Sequence, residues 1–226
     1  MAKAVAIVLS SGGLHSLVTA ALAAREYRIA MLHVQDGRSA ARQAAAAFDK
    51  QAAHFKPMKA WNIDGTFLRQ MSLPPESAGV VHATSSDPQA ALLATRELQY
   101  LTLAAGHARQ IRASTIFWGV QIEQKQADAI ARNIEFVQLF NQILELISID
   151  GPLSIKTPLI GLDDQQVVEL GYQMGVPFAA SWTCQMSLEH PCMSCPACTR
   201  RARSFRAAQL ADPLTIKEKQ SMGARR

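Results

Sequence analysis

The chain has 226 residues, 49% of them hydrophobic and 18% charged, with a formal net charge of +5. That is enough apolar material for a sizeable core in one domain, or in one domain with a small appendage. No continuous apolar stretch reaches the length of a membrane span, and the N-terminus opens on a strand rather than a charged region with a cleavable apolar segment, so a cytoplasmic location is expected. Ala4 to Leu9 is a short, partly β-branched apolar run and reads as a buried strand. It empties into Ser10-Ser11-Gly12-Gly13, after which Leu14, Leu17, Val18, Ala21 and Leu22 fall on one helical face. Glycines at such a strand-to-helix junction let the backbone turn tightly and bring N–H groups close to a ligand. The helix behind adds unpaired donors and the positive end of its dipole. The cup formed this way suits an anion, usually phosphate.

Further along, Arg28 to Val34 predicts a second strand, Ser39 to Phe55 a helix and Met58 to Ile63 a third strand. Pro74-Pro75 and Asp87-Pro88 then interrupt any regular element, and this stretch is the expected mobile loop. A long helix fits Gln89 to Ile111, with Leu92, Thr95, Gln99 or Leu98, and Thr102 marking successive turns. Thr115 to Val120 supplies a fourth strand. Ala127 to Ile147 is a helix whose Ile130, Ile134, Val137, Phe140 or Ile143, Leu144 and Ile147 form the expected inward stripe. Leu153 to Ile155 is a short fifth strand, and Asp163 to Met174 a helix ended by Gly175-Val176-Pro177. Strands alternating with helices imply parallel pairing through right-handed crossovers, hence an α/β doubly wound parallel sheet. In such folds ligands sit outside the carboxyl ends of the strands, so Ser11 to Ser16, Gln35-Asp36-Gly37 and Gly119-Val120-Gln121 are expected around one cleft.

All four cysteines fall in one window: Cys184, then seven residues, Cys192, two more, Cys195, two more, Cys198. In a cytosolic chain these spacings suit four thiolates around a tetrahedral, closed zinc ion, with His190 as a substitute ligand for one of them; a redox dithiol is the competing reading. The C-terminal charges, Arg200, Arg201, Arg203, Arg206, Lys217, Lys219, Arg225 and Arg226, read as a solvated helix face and a loose tail rather than an RNA surface. Residues 1–180 are therefore expected to form a nucleotide-binding α/β domain, and 181–226 a zinc motif with a helix packed on it.

Ser11-Gly12-Gly13-Leu14-His15-Ser16 resembles the S-G-G-x-D-S loop of the PP-loop ATP pyrophosphatase superfamily. Ser181-Trp182-Thr183-Cys184 with Cys192, Cys195, Cys198 and the basic segment to Phe205 resembles the C-terminal zinc motif of the 7-cyano-7-deazaguanine synthase branch, as do Thr157-Pro158-Leu159 and Glu169-Leu170-Gly171 before it. The resemblance implies conversion of 7-carboxy-7-deazaguanine, ammonia and ATP into a nitrile through adenylation of the carboxylate. It implies ATP contacts at Ser10, Ser11, Gly12, Gly13, Leu14, His15, Ser16, Val34 and Gly119, catalytic contributions from Ser11, Ser16 and Arg96, structural Zn2+ at the four cysteines, and Mg2+. A homodimer is compatible with it, and a nucleic-acid partner is not expected. Asp36, Glu123 and Asp163 are the open choices for a magnesium ligand.

The sequence departs from that pattern in three places at the cleft and in a fourth beside Arg96. His15 stands where the loop has aspartate, and a histidine there can be neutral or cationic and contact phosphate. Asp164 stands where the family carries lysine, so Lys156 or Lys125 would have to replace that cation. The family's tyrosine-proline-aspartate-cysteine-arginine segment is absent, with Gln124 to Arg132 in its stead, and Glu97 replaces an asparagine beside Arg96. These departures imply a divergent paralogue, with altered substrate or with a non-catalytic role in a multi-protein system as the alternative.

Overall fold

The computed structural model describes residues 3–71, 88–121, 127–147, 151–186 and 188–215, with the side chains of 69–71, 88–95 and 127–129 outside that description. The expected loop around Pro74-Pro75, together with Glu123, Gln124, Lys125 and the tail beyond 215, lies outside the described residues.

Five strands form the sheet: β1 (Val5–Leu9), β2 (Arg28–Gln35), β3 (Ala60–Asp64), β4 (Thr115–Trp118) and β5 (Ser154–Lys156). Their order is β3-β2-β1-β4-β5, and every neighbouring pair is parallel. β1 is central because its residues are apolar on both faces. Ala6 and Val8 point to one helical layer and Ile7 to the other, all three fully buried. Strand order reverses at β1, between β2 and β4, so the crevice for a ligand opens past Leu9 and Trp118.

Helices α1 (Leu14–Glu26) and α2 (Ala41–Phe55) cover one face, and α3 (Pro88–Gln110) and α4 (Ala127–Ile147) cover the other. α1 is itself a middle layer. Its Ala20 and Ala23 meet the sheet, while Leu14, Leu17, Val18 and Ala21 pack against Val167 and Val168 of α5 (Asp164–Gln173) and Phe205 of α6 (Pro196–Ala207). Small residues on one side and branched ones on the other let α1 be buried twice.

Two inward faces differ from the sequence reading. On α3 the buried side chains among the described residues are Leu101, Ala104, Ala105 and Ala108, whereas Leu98 is 39% exposed and Thr102 turns its hydroxyl back to the Leu98 carbonyl at 2.8 Å; Leu92 and Thr95 lie outside the description. Beside Leu101 it is alanine that faces the sheet, which lets the helix lie close. On α4, Val137, Phe140 and Leu144 are buried, but Ile134, Ile143 and Ile147 are 41%, 50% and 46% exposed. This helix carries two apolar stripes, and packing selects one. Leu144→Ala should therefore cost about 2–5 kcal/mol in denaturant unfolding and Leu146→Ala, at a site 86% exposed, no more than about 0.5 kcal/mol.

Candidate active site and cysteine cluster

The turn between β1 and α1 is held from beneath. Gly12 has φ +76°, and a Cβ on it would lie 2.2 Å from the Ala44 carbonyl oxygen of α2, so only glycine fits. Its own carbonyl accepts from Trp182 N–H at 2.9 Å and from Gln51 Nε2 at 3.0 Å. Gln51 is fully buried. The same amide also donates to the Ala180 carbonyl at 3.1 Å, and its oxygen accepts from Ser10 Oγ at 3.0 Å. With the Gly12 carbonyl turned inward, the start of α1 faces the crevice.

That helix start is open. Gly13 is the N-cap, no side chain caps the helix and no acidic residue stands in its first turn. Gly13 N–H reaches Ser11 Oγ at 3.3 Å, which lies 3.3 Å from Ser16 Oγ, and Ser16 donates to the Gly13 carbonyl at 3.1 Å. Ser16 thus braces the turn from below. Gly119, after β4, lets that loop sit on α1: a Cβ there would be 2.7 Å from Thr19 Oγ1 and 3.2 Å from the His15 carbonyl oxygen.

A cleft of about 1310 Å³ lies over this turn. Of the residues expected around a nucleotide, Ser10, Ser11, Gly13, Leu14, His15, Ser16, Val34 and Gly119 line it, and Gly12 is buried beneath. Arg96 is set back: its guanidinium carbon sits 6.0 Å from the Tyr100 ring, and it is Tyr100 that reaches the cleft, donating to Asp36 Oδ2 at 3.2 Å. Burial would raise the Asp36 carboxyl, but the Arg38 guanidinium holds it below its usual range; burial pushes the Tyr100 phenol up to about 12. Glu97, next to Arg96, is raised to about 7 by burial, with Arg96 pulling the other way. His33, a lining residue without a distinctive sequence signal, donates Nδ1–H to the Ser10 carbonyl at 2.7 Å and is kept neutral by burial.

The two unusual residues of the loop and of α5 meet. His15 Nε2 is 3.3 Å from Asp164 Oδ1, and Arg200 of α6 grips the same carboxylate with Nε at 2.6 Å and Nη2 at 2.8 Å. Gln121 accepts from Arg200 Nη2 and donates to the Leu162 carbonyl at 2.9 Å. Lys156 does not replace the missing cation. Its amine is 2.9 Å from Tyr27 Oη and lies over the Tyr27 and Phe117 rings, outside the cleft. Asp163, a candidate magnesium ligand, is the N-cap of α5, its carboxylate accepting from Gln166 N–H at 2.8 Å.

Nor are Arg200 and Arg201 a solvated face. Arg201 is 6% exposed and bound through Nε and Nη2 to Asp212 at 2.7 and 2.9 Å and through Nη1 to Ser181 Oγ at 2.7 Å, which fastens the chain before the cysteines to the segment after α6. Positive charge alone carried no sign of this inward turn.

The thiol sulfurs of Cys184, Cys192, Cys195 and Cys198 all lie within 4.8 Å of one another, and none is in a disulfide. Backbone N–H groups point at them: Cys192 N and Met186 N to Cys184 Sγ at 3.3 and 3.4 Å, and Cys195 N to Cys192 Sγ at 3.3 Å. Amide donors from Ser194 and Cys195 draw the Cys192 thiol down to about 6, while burial pushes the Cys184 and Cys198 thiols up. His190 is exposed and stands outside the cluster, so it does not substitute for a thiolate.

Burial pushes the Asp164 carboxyl up, but the His15 and Arg200 hydrogen bonds outweigh it and hold the group at about 2. A carboxyl lowered on folding adds stability above its unfolded pKa, and this is lost as pH falls from about 4 towards 2. Asp164→Asn should therefore lower stability by roughly 2 kcal/mol at pH 7, with the difference from the parent closing by about pH 2 in thermal unfolding.

A family model described as queuosine biosynthesis protein QueC matches residues 5–209. Relatives named 7-cyano-7-deazaguanine synthase, from Chlorobium phaeobacteroides (strain BS1) and Chloroherpeton thalassium, are each 31% identical, over 92% and 94% of this chain and 95% and 96% of theirs. Among solved structures, the U34-tRNA thiolase NcsA from Methanococcus maripaludis with its 4Fe-4S cluster superposes with a TM-score of 0.51 at 14% identity, covering 91% of this chain and 65% of that one. NMN synthetase from Francisella tularensis gives 0.50 at 16% identity, covering 93% and 88%. These two likenesses bear on the fold alone and agree with the five-stranded parallel sheet. By the extent of the family match and of the relatives' coverage, the chain belongs to the queuosine biosynthesis protein QueC family.

Proposed function

We propose that this chain is an ATP-dependent carbon–nitrogen ligase that converts 7-carboxy-7-deazaguanine and ammonia into 7-cyano-7-deazaguanine, with AMP and pyrophosphate as by-products. The observation that carries this reading is the uncapped start of α1 behind a positive-φ glycine, opening into the cleft where strand order reverses. Oriented N–H donors and the helix dipole there suit a phosphate chain. Small-molecule sites are typically on the order of 300–1,000 Å³, so this cleft has room for a nucleotide and a second ligand. The relatives' name supports the choice of substrate.

A carboxylate resists ammonia until one oxygen becomes a leaving group. In this reading its oxygen attacks the α-phosphorus of ATP, and pyrophosphate leaves into the cup of Ser10, Ser11, Gly12 and Gly13, whose donors meet the growing charge. Ser16 keeps the cup's shape, and Leu14 anchors the helix start. Ammonia displaces AMP to give the amide, and a second ATP activates the amide oxygen before loss of AMP leaves the nitrile. The main chain at Val34 and Gly119 borders the nucleoside end of the cleft, and Arg96 supports the Tyr100–Asp36 rim. Asp36 and Asp164 are each engaged by a guanidinium, so Mg2+ is expected to arrive on the phosphates rather than on a protein carboxylate. The departure in the loop, His15, and the one at the start of α5, Asp164, are in contact with each other, which favours a retained site over a decayed one.

For the cysteine cluster we propose structural Zn2+. A tetrahedral ion with bonds of about 2.3 Å places thiolate sulfurs about 3.8 Å apart, and the Cys192–Cys198 sulfur distance is 3.9 Å. A four-iron cubane would spread its four thiolates wider. The ion would clamp the start of α6 and so support folding rather than chemistry.

Incubation of the pure protein with ATP, ammonia and 7-carboxy-7-deazaguanine should yield the nitrile by mass spectrometry, with about two AMP for each nitrile. Nucleotide binding without AMP would favour the non-catalytic alternative. Metal analysis should find one zinc per chain, and Cys195→Ser should abolish it and lower the melting temperature. Iron with acid-labile sulfide, or no metal, would contradict the zinc assignment.

A further inference from the structure

Turning ammonia into a nitrile nitrogen strips three protons from that nitrogen, so the site needs a proton acceptor beside the activated carbon. The titratable groups lining the cleft among the described residues narrow the choice. Asp36 is held as a charged partner of Arg38 and Tyr100, Asp164 as a partner of Arg200, and Cys184 belongs to the cysteine cluster. His33 is 3% exposed, with Nδ1 committed to the Ser10 carbonyl and its ring stacked on Phe48. His15 is different. Its side chain is 31% exposed, it lies in the first turn of α1 beside the phosphate cup, and it lines the cleft.

Behind His15 runs a fixed chain of groups. Gln121 is tied to the Leu162 carbonyl and holds Arg200; Arg200 holds Asp164 through two nitrogens; Asp164 faces His15 Nε2. A carboxylate accepts only, so a proton on Nε2 is the one that faces Asp164, and in the neutral ring Nδ1 is then the acceptor nitrogen. Among the described residues, Asp164 of α5 pairs with this ring and Arg200 of α6 stands behind it, and the guanidinium keeps the carboxylate ionised and aimed.

We infer that His15, oriented by Asp164, is the proton acceptor for the nitrogen that attacks the adenylated carbon. This rests on the ligase reading above. The ammonia lone pair forms the C–N bond, the C–O bond to AMP breaks with its electrons leaving on AMP, and the nitrogen's proton passes to His15 Nδ1 and then to water. In the second cycle the amide oxygen attacks ATP, and the remaining N–H protons leave by the same route as AMP departs and the triple bond closes. Asp164 is a positioning residue, since it acts through the imidazole.

The roles separate by measuring two steps in His15→Gln, with Asp164→Asn alongside. Adenylation needs no proton from nitrogen, whereas nitrile formation does. His15→Gln should keep ATP affinity and initial pyrophosphate release within about threefold of the parent while nitrile formation falls at least about 100-fold, the usual scale for a lost general base. The acid limb of the parent's pH–rate profile for nitrile formation should also flatten in this variant, and Asp164→Asn should lower the same step with unchanged ATP affinity. Parallel loss of ATP affinity and pyrophosphate release would make His15 a phosphate contact instead, and unaltered nitrile formation would make it a packing residue; either overturns the inference. Absence of AMP formation in the parent chain would overturn the ligase reading itself, and the inference with it.

Discussion

One buried amide holds the rest of the site in place. Gln51 of α2 satisfies the Ser10 hydroxyl and two carbonyls, Gly12 and Ala180, which come from segments far apart in the chain. An unpaired carbonyl in this position would cost about 1–3 kcal/mol, so each bond fixes a geometry as well as adding stability. Because the Gly12 carbonyl points inward, the peptide groups that follow present their N–H edges to the crevice. The close approach of Gly12 to Ala44 is what places α2 near enough for Gln51 to reach. Turn, helix start and the strap before the cysteines are therefore one unit.

A second set of contacts ties the cysteine cluster to that unit. Arg200 and Arg201 are adjacent on α6, separated from Cys198 by Thr199, yet they serve different partners: Asp164 and Gln121 at the cleft for the first, Asp212 and Ser181 for the second. Removing one partner of such a pair leaves an uncompensated charge, so these contacts fix one arrangement against its alternatives. The cysteine cluster at the start of α6 gives both guanidiniums a fixed origin. Through Arg200, the helix that begins at the cysteines sets the charge around Asp164 and His15.

Much of this was legible in the sequence where a local rule had no competitor. The β1 run, its glycines and the change to helical period marked the strand, the turn and α1 because only one arrangement satisfies all three. Cysteine spacing marked the cluster for the same reason. The boundaries of α4 were also legible, Ala127–Ile147, but its inward face was not: Val137, Phe140 and Leu144 compete with Leu139, Ile143 and Ile147, and only packing against β4 and β5 decides. Arg200 and Arg201 were misread because charge on a helix usually means solvent, and nothing local reveals a carboxylate 36 or 11 residues away. Gln51 carries no local signal at all, since its partners lie 39 to 129 residues distant. The contact of His15 with Asp164 is likewise invisible along the chain, although it converts two separate departures into one pair.

The central claim is that the cup receives pyrophosphate while a substrate carboxylate oxygen takes the AMP group. Isotope transfer tests it most directly. With 7-carboxy-7-deazaguanine labelled with oxygen-18 in its carboxylate, the AMP formed should carry one labelled oxygen on its phosphate, as seen by mass spectrometry. Unlabelled AMP, or ADP and inorganic phosphate in its place, would contradict the account.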